Sequence, residues 1–150
     1  MTEPGQKYKM DIDINNDNDT RVMEMSYIQP NAFVLDVGCA CGDFGKILSS
    51  YKNATMYGLE YNPDSCKIAL DTGAYIEVKQ CDLDSLTDDS FSEYKSKFDY
   101  IVCGDVLEHL RNPKETLRIL KTFLKEGGHI VASIPNIAHT SIKANLLMDD

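Results

Sequence analysis

Glycines and carboxylates stand at or directly after the ends of several apolar segments in this sequence. In chain order these residues are Asp36, Gly38, Gly42, Glu60, Asp82 and Gly104. Glycine permits a tight turn and the close approach of a ligand to the backbone. A carboxylate accepts hydrogen bonds from hydroxyl and amino groups and attracts positive charge. Residues of these types therefore suit a ligand that carries hydroxyl groups together with a cationic centre.

The apolar segments themselves are predicted to be strands of one parallel sheet. They are short and separated by stretches with helical spacing, which is typical of βαβ units. The predicted strands cover residues 32–37, 55–59, 74–78, 98–103 and 129–134. Ligands of open parallel sheets bind beyond the carboxyl ends of the strands, so the glycines and carboxylates are expected to converge on one edge.

Signals for helix starts and stops fall between these strands. Asn62-Pro63 and Asn112-Pro113 each place a capping side chain before a proline in the first turn, which predicts a helix at each site. The second of these helices is expected to run to Gly127-Gly128. The polar stretch 82–97 is expected to hold a short, exposed helix. The resulting fold class is α/β, a three-layer α/β/α sandwich around a mainly parallel sheet.

Composition limits the classes of protein to which the chain can belong. Its 150 residues fit one domain, predicted to cover residues 20–150 after a polar N-terminal tail over residues 1–19. No apolar run approaches the roughly 20 residues of a membrane-spanning helix, and residues 1–10 lack the apolar stretch of a secretory signal. The formal net charge of −9 would repel a polyanion, which disfavours nucleic acid as a partner. A cytoplasmic protein without membrane contact is expected.

Five cysteines are spread through the apolar segments, and an odd number is not typical of a disulfide framework. Cys39 and Cys41 are separated by a single residue, which is not the spacing of a zinc knuckle. All five are interpreted as reduced thiols that pack as small apolar side chains.

The glycine pattern distinguishes between classes of nucleoside-containing ligand. Glycines at positions 38, 42 and 45 do not form the G-x-G-x-x-G signature of dinucleotide sites. Asp36 adds negative charge at the same turn, which would repel a pyrophosphate and attract a cation. Glu60 ends the second predicted strand roughly 20 residues after the turn, where a carboxylate accepts both ribose hydroxyls of a nucleoside. A nicotinamide-dependent dehydrogenase is therefore the less favoured alternative.

The segment 34–42, Val-Leu-Asp-Val-Gly-Cys-Ala-Cys-Gly, resembles the first motif of the class I S-adenosylmethionine-dependent methyltransferases. Later features follow in the order typical of that family: Glu60, Asp82, the strand 98–102 leading into Val106-Leu107-Glu108-His109-Leu110, and the stretch 117–135. The resemblance covers roughly residues 21–136. It implies a Rossmann-like sheet of strand order 3-2-1-4-5 and S-adenosylmethionine as the cofactor.

By this resemblance, individual residues are expected to contact particular parts of the cofactor. The expected contacts are, for the methionine part, Asp36, Gly38, Gly42 and Gly104; for the ribose, Glu60; and for the adenine, Tyr61, Asp82 and Leu83. One position departs from the family pattern, because the middle glycine of the turn is Ala40 here. That change matters only if Ala40 requires a positive φ.

Purely structural interpretations of the same residues stay open. The turn glycines could serve only strand–helix packing, and Glu60 could be a solvated strand end. Asp82 could be a loop carboxylate or a helix cap, and Asp105 could cap the following helix or belong to the site.

His109 could be a general base at the methyl acceptor, because a neutral imidazole suits that task, or it could be a structural residue. A third alternative is a metal site made by Asp105, Glu108, His109 and His139, reminiscent of small-RNA 2′-O-methyltransferases. Two observations argue against a metal site: Asp105 stands where that family has its first Glu, and the net charge is acidic. No metal is therefore expected.

The acceptor is suggested only by the end of the chain. Residues 134–147 look like methyltransferase domains found with bacterial glycosyltransferases in cell-surface polysaccharide synthesis, which implies a saccharide or another small molecule as the acceptor. The family's sheet normally has further strands that flank the fifth, and these are apparently missing. The fifth strand is then expected to be an exposed edge that promotes a homodimer. The alternative function is a truncated or degenerate module that binds the cofactor without turnover.

Overall fold

The structure, a computed structural model, describes residues 12–134. Five parallel strands form one sheet of order β3-β2-β1-β4-β5, which confirms the predicted class and strand order. The strands are β1 Phe33–Val37, β2 Thr55–Glu60, β3 Tyr75–Gln80, β4 Phe98–Cys103 and β5 Leu124–Ala132. Because β1 lies in the middle of the sheet, the residues that follow it lie at the centre of the carboxyl edge.

Helices connect the strands and cover both faces of the sheet. They are α1 Thr20–Ser26, α2 Asp43–Lys52, α3 Pro63–Asp71 and α4 Pro113–Lys121. The predicted caps of α3 and α4 are confirmed: Asn62 accepts from the backbone N–H groups of Asp64 and Ser65, and Asn112 accepts from that of Glu115. Each side chain satisfies donors that the first helical turn leaves without partners.

Alternate residues of the central strand pack into two separate cores. Val34 belongs to a cluster with Leu48 of α2 and Ala69 of α3, on one face of the sheet. Leu35, the next residue, belongs to a cluster with Ile119 and Leu120 of α4, on the other face. This alternation is what a strand buried on both faces requires, and it produces the three-layer sandwich.

The end of α4 and the start of β5 differ from the prediction. The helix ends at Lys121 rather than at Gly127-Gly128, and the strand begins at Leu124 rather than at His129. The reason lies at Phe123, which is fully buried and whose carbonyl accepts from the backbone N–H groups of Lys97 and Phe98. The chain has therefore joined β4 before it reaches the glycines. These lie in an irregularity of the β4–β5 register, where Gly127 adopts φ 75°.

The predicted helix within residues 82–97 is also wrong. The segment holds two single-turn 3₁₀ helices, Leu83–Ser85 and Ser92–Tyr94, and the second is anchored by a side chain. Tyr94 is fully buried and packs edge-on against Tyr57 and Phe98. Burial of this ring fixes an irregular path that the polar composition of the segment does not reveal.

β5 is the terminal strand of the sheet that residues 12–134 form. In this part of the chain, every helix is too short or too polar to span a bilayer. The predicted tail over residues 1–19 lies largely outside the described residues, and so does the segment from Pro135 onward.

Candidate functional site

A pocket of about 630 Å³ lies at the carboxyl edge of the sheet. Most of the predicted site residues line it, namely Gly38, Glu60, Tyr61, Asp82, Leu83, Gly104 and His109. Asp36 lines a smaller adjoining cavity, which Gly38 also borders. Gly42 lines neither cavity: it is the N-cap residue directly before α2 and packs against Ala69 and Tyr75. Most residues predicted for the site therefore lie together at one edge of the sheet, whereas Gly42 has packing contacts there.

The turn between β1 and α2 has three residues in the left-handed region. Gly38, Ala40 and Gly42 have φ values of 73°, 47° and 87°. The N–H groups of Gly38 and Cys39 donate to the carbonyl of Leu59 at 2.7 and 3.1 Å, so the turn wraps around the end of β2. Alanine at position 40 thus occupies a backbone conformation that costs a residue with a β-carbon roughly 1–2 kcal/mol.

Glu60 holds this turn as well as lining the pocket. Its Oε2 accepts from the N–H of Ala40 at 2.9 Å, and its Oε1 accepts from the N–H of Asn62 at 2.9 Å. Glu60 is half-buried rather than a solvated strand end. An ionised carboxylate offers about four lone-pair positions, so two acceptor positions stay open for ligand hydroxyls.

Asp36 is a buried carboxylate beneath the turn. The hydroxyl of Tyr75 donates to its Oδ2 at 2.7 Å. Burial raises the pKa of Asp36 to about 6, against the opposing effects of the Tyr75 hydrogen bond and the Arg21 charge. A carboxylate in this environment gains from any further positive charge placed beside it.

Arg21 and Glu24 of α1 reach the same region, and the sequence interpretation missed both. Nη1 of Arg21 and Oε2 of Glu24 form an ion pair at 3.0 Å in which both side chains are largely buried. Within residues 12–134, Nε of Arg21 and Oε1 of Glu24 are buried without a hydrogen-bond partner. A β-carbon at position 104 would overlap the Arg21 guanidinium. The three-residue spacing of Arg21 and Glu24 in the sequence was a signal of pairing, but not of where α1 packs.

The adenine-binding candidates Tyr61, Asp82 and Leu83 also line the pocket. Asp82 accepts from the backbone N–H of Asp84 and from the hydroxyl of Ser85, both at 3.1 Å, so the cap alternative is confirmed. Leu83 begins the same 3₁₀ turn. The side chain of Tyr61 is well exposed at the rim, where it could cover a planar ring.

Asp105 does not cap the following helix, contrary to one alternative. The 3₁₀ turn Leu107–His109 has no side-chain cap. Instead, the N–H of Asp105 donates to Oγ of Ser133 at 2.8 Å, and the Ser133 hydroxyl donates to Oδ1 of Asp105 at 2.9 Å. This pair joins the loop after β4 to the end of β5, with Asp105 at φ 53°.

His109 lies at the outer wall of the pocket with its side chain 77% exposed. Its Nε2 is 4.0 Å from Oε1 of Glu108. In the part of the chain that the structure describes, no three His, Cys, Asp or Glu side chains are close enough to hold a metal ion. The remaining member of the proposed metal set, His139, lies outside that part.

The cysteines are all free, and most of them are buried. Burial raises the pKa of Cys81 to about 11 and that of Cys103 to about 12. Thiols of this kind stay protonated near neutral pH and are poor nucleophiles, so they act through packing.

Comparison with known proteins agrees with this geometry. The sequence pattern of the family described as "Methyltransferase domain" matches residues 10–149. Among curated relatives, a ubiquinone biosynthesis O-methyltransferase of Vibrio parahaemolyticus is 30% identical over 107 residues, which cover 69% of this chain and 43% of the relative. The corresponding protein of Marinobacter nauticus is 25% identical over 143 residues, covering 89% and 56%. The chain thus spans about half the length of these relatives.

Solved structures give the same result. A TehB-like S-adenosylmethionine-dependent methyltransferase from Corynebacterium glutamicum superposes with a TM-score of 0.63 at 25% identity, covering 78% of this chain and 62% of that one. An S-adenosylmethionine-dependent methyltransferase from Mesorhizobium loti superposes with a TM-score of 0.65 at 19% identity, covering 77% and 53%. At 19% identity, the similarity to the Mesorhizobium loti protein shows a shared fold alone.

Proposed function

This chain belongs to the class I S-adenosylmethionine-dependent methyltransferases, and from that membership we propose that it binds S-adenosylmethionine in the pocket at the carboxyl edge of its sheet. One observation carries the proposal. Beside the glycine turn, Arg21 presents a buried positive group and Glu24 a buried negative group. Within the described residues, each side chain has one buried polar atom without a hydrogen-bond partner. Buried polar atoms are normally hydrogen-bonded, so this pair suits a ligand that supplies both charges.

The amino-acid end of the cofactor has the matching charges. Its α-carboxylate would accept from the guanidinium of Arg21, a charge-assisted bond of the strong kind. Its ammonium group would lie near the carboxylates of Asp36 and Glu24, both of which are buried. The close approach of Arg21 to Gly104 leaves no space for a side chain at that position.

The nucleoside end would lie along the rest of the pocket. The two open acceptor positions of Glu60 suit the ribose hydroxyls, while its other two hold Ala40 and Asn62. Tyr61 would cover the adenine, and Asp82 with Leu83 would meet its polar edge. We propose these roles from the residues that line the pocket and from the family pattern.

We further propose that the chain transfers the methyl group to a hydroxyl oxygen of a small molecule or saccharide. When bound, the cofactor would supply a methyl group on a positively charged sulfur. The acceptor oxygen would bond to that carbon as the carbon–sulfur bond breaks, and S-adenosylhomocysteine would leave. The protein mainly has to align the two reactants and exclude water. His109, at the outer wall of the pocket, is the candidate for taking the hydroxyl proton.

An oxygen acceptor is supported by the relatives, which are named O-methyltransferases. The net charge of −9 supports a small molecule rather than a nucleic acid. A cytoplasmic location, a role in polysaccharide synthesis and the saccharide itself stay predictions. The alternative is a module that binds the cofactor without turnover. A measurement of turnover distinguishes this module from an active methyltransferase.

The first experiment is calorimetric titration with S-adenosylmethionine and S-adenosylhomocysteine, with NAD as the negative ligand. We expect micromolar binding of the first two and none of NAD. Arg21→Met removes the cation and should abolish binding. Arg118→Met is the matched control, because Arg118 also forms ion pairs, with Asp88 and Glu115, but lies outside the pocket. Absence of binding by the unmodified chain would refute the proposal.

The second experiment measures S-adenosylhomocysteine release with a set of phenols and saccharides as acceptors. His109→Ala should lower kcat and leave cofactor affinity unchanged. His129→Ala is the control, because His129 stacks on Tyr100 of β4 and does not line the pocket. Cofactor binding without release of product for any acceptor would support the binding-only module instead.

A further inference from the structure

Tyr75 begins β3, yet its side chain reaches Asp36 of β1, two strands away across β2. The ring crosses β2 at Gly58, the residue paired with Asp36 in the sheet register. A β-carbon at Gly58 would lie 3.3 Å from two ring carbons, and one at Gly42 would lie 3.0 Å from a third. Gly45 leaves room for the end of the ring, where a β-carbon would overlap it. The Tyr75 side chain therefore fills a slot that exists because these three positions lack side chains.

The hydroxyl of Tyr75 links two parts of the site. Its O–H donates to Oδ2 of Asp36 at 2.7 Å, and its oxygen accepts from the N–H of Gly45 at 3.2 Å. Gly45 lies in the first turn of α2, where the N–H groups lack helical partners. One hydroxyl thus ties the carboxylate beneath the glycine turn to the helix that follows the turn.

We propose that Tyr75 is a positioning residue for the cofactor: its hydroxyl fixes the orientation of the Asp36 carboxylate, and its ring fixes the turn at Gly42. This inference rests on the proposed function, because it assigns Asp36 to the ammonium group of the ligand. Tyr75 itself lines neither cavity. It acts through Asp36 and the turn, and a change at position 75 should alter binding without removing any ligand contact.

The pH dependence of binding gives a readout that loss of packing alone would not change. Only the ionised form of Asp36 attracts an ammonium group, and the Tyr75 hydrogen bond lowers the pKa of that carboxyl. Without the hydroxyl, Asp36 should protonate at higher pH. The other groups that act on Asp36, or on which Asp36 acts, are Arg21 and Glu24 of α1, Cys39 of the turn, Glu60 of β2 and Cys103 of β4. The cysteines stay neutral in the pH range of the test, because burial raises the pKa of both thiols.

The test is calorimetric titration with S-adenosylhomocysteine, which carries the same amino-acid end, between pH 5 and pH 8. Tyr75→Phe should bind about tenfold more weakly at pH 8, as expected for a lost hydrogen bond to a charged group. As the pH is lowered, the affinity of Tyr75→Phe should begin to fall at a higher pH than the affinity of the unmodified chain does. Tyr94→Phe is the matched control: Tyr94 is fully buried and donates to a single carboxylate, Glu77 at 2.8 Å, away from the site. The control should bind normally at every pH.

A pair of non-natural residues separates loss of the hydrogen-bond donor from loss of side-chain size. 4-Aminophenylalanine at position 75 keeps both the size and the donor, whereas 4-fluorophenylalanine keeps the size alone. We expect the amino variant to restore affinity and the fluoro variant to behave like phenylalanine. Equal affinity and equal pH profiles for the two would overturn the role of Tyr75. Failure of the unmodified chain to bind would instead refute the proposed function.

Discussion

The guanidinium of Arg21 occupies the space into which a side chain at position 104 would project. Arg21 belongs to α1 and Gly104 follows β4, so the contact joins distant parts of the chain. Gly104 has no positive φ, and its lack of a side chain is required by this contact rather than by backbone conformation.

Gly104→Ala should therefore displace the flexible end of Arg21 and leave the backbone in place. We expect some loss of stability, because the displaced guanidinium weakens its buried pair with Glu24. We also expect about a tenfold loss of S-adenosylhomocysteine affinity, since the misplaced guanidinium loses its charge-assisted bond to the ligand. Urea unfolding and calorimetry measure the two quantities. Gly73→Ala is the control: Gly73 has φ 74° with open space around it, so stability should fall and affinity should not. Normal affinity in Gly104→Ala would contradict the role given to Arg21.

Ala40→Gly should stabilise the protein. Ala40 has φ 47°, and glycine removes the steric cost of that conformation while adding some freedom to the unfolded chain. We expect the free energy of unfolding to rise by about 1 kcal/mol, measured by urea unfolding without ligand. Ala69→Gly, in the interior of α3, should lower it instead. Destabilisation by Ala40→Gly would mean that the alanine methyl makes a contact worth more than the strain.

Glu60→Ala should weaken the fold as well as the ligand site. Two backbone N–H groups lose their acceptor, so we expect the free energy of unfolding to fall by about 2 kcal/mol in the absence of ligand. Thermal or urea unfolding of the free protein measures this. Glu93→Ala removes an exposed carboxylate that pairs with Lys79 and should leave stability nearly unchanged, because solvent screens an exposed ion pair. A fully stable Glu60→Ala protein would show that the turn does not depend on this side chain.

The buried carboxyl of Asp36 should make stability depend on pH. Its pKa is about 6 in the folded chain and 3.8 when exposed, so the folded state binds more protons between these values. The free energy of unfolding should accordingly fall, by up to about 3 kcal/mol, as pH rises from 4 to 7. Asp36→Asn should remove this component. The quantity to measure is the difference between the two proteins in urea unfolding across that range, and a constant difference would refute the buried titration.

The two edges of the sheet that residues 12–134 form should differ in their tendency to pair with another molecule. β3 carries the charged pair Glu77 and Lys79, which protects an edge, whereas Ile130 and Val131 lie toward the carboxyl end of β5. We propose self-association through β5, detected as concentration-dependent mass in sedimentation equilibrium. Val131→Lys should shift the equilibrium toward monomer, and Ile76→Lys on β3 should not. A monomer at all concentrations would refute this.

Local sequence signals predicted the elements whose cause is local. Asn62 and Asn112 cap helices at the positions that the following proline predicts. The glycines and carboxylates converge because parallel strands place their carboxyl ends together. Most of the site followed from that single rule.

What the sequence did not reveal depends on packing across the sheet. Arg21 enters the site because α1 packs near the centre of the carboxyl edge, a fact that its own neighbours do not encode. The early start of β5 follows from burial of Phe123, which outweighs the usual role of a glycine pair as a helix end. Ser133 could not be paired with Asp105 before the β4–β5 register was known.

The two backbone bonds accepted by Glu60 bear on how such domains evolve. A substitution there would be selected against through folding alone, before any effect on a bound nucleoside. A descendant that bound no ligand would keep this glutamate as long as it kept the turn. Retention of the acid after the second strand across a lineage therefore records the demands of a stable β1–α2 connection as much as those of catalysis.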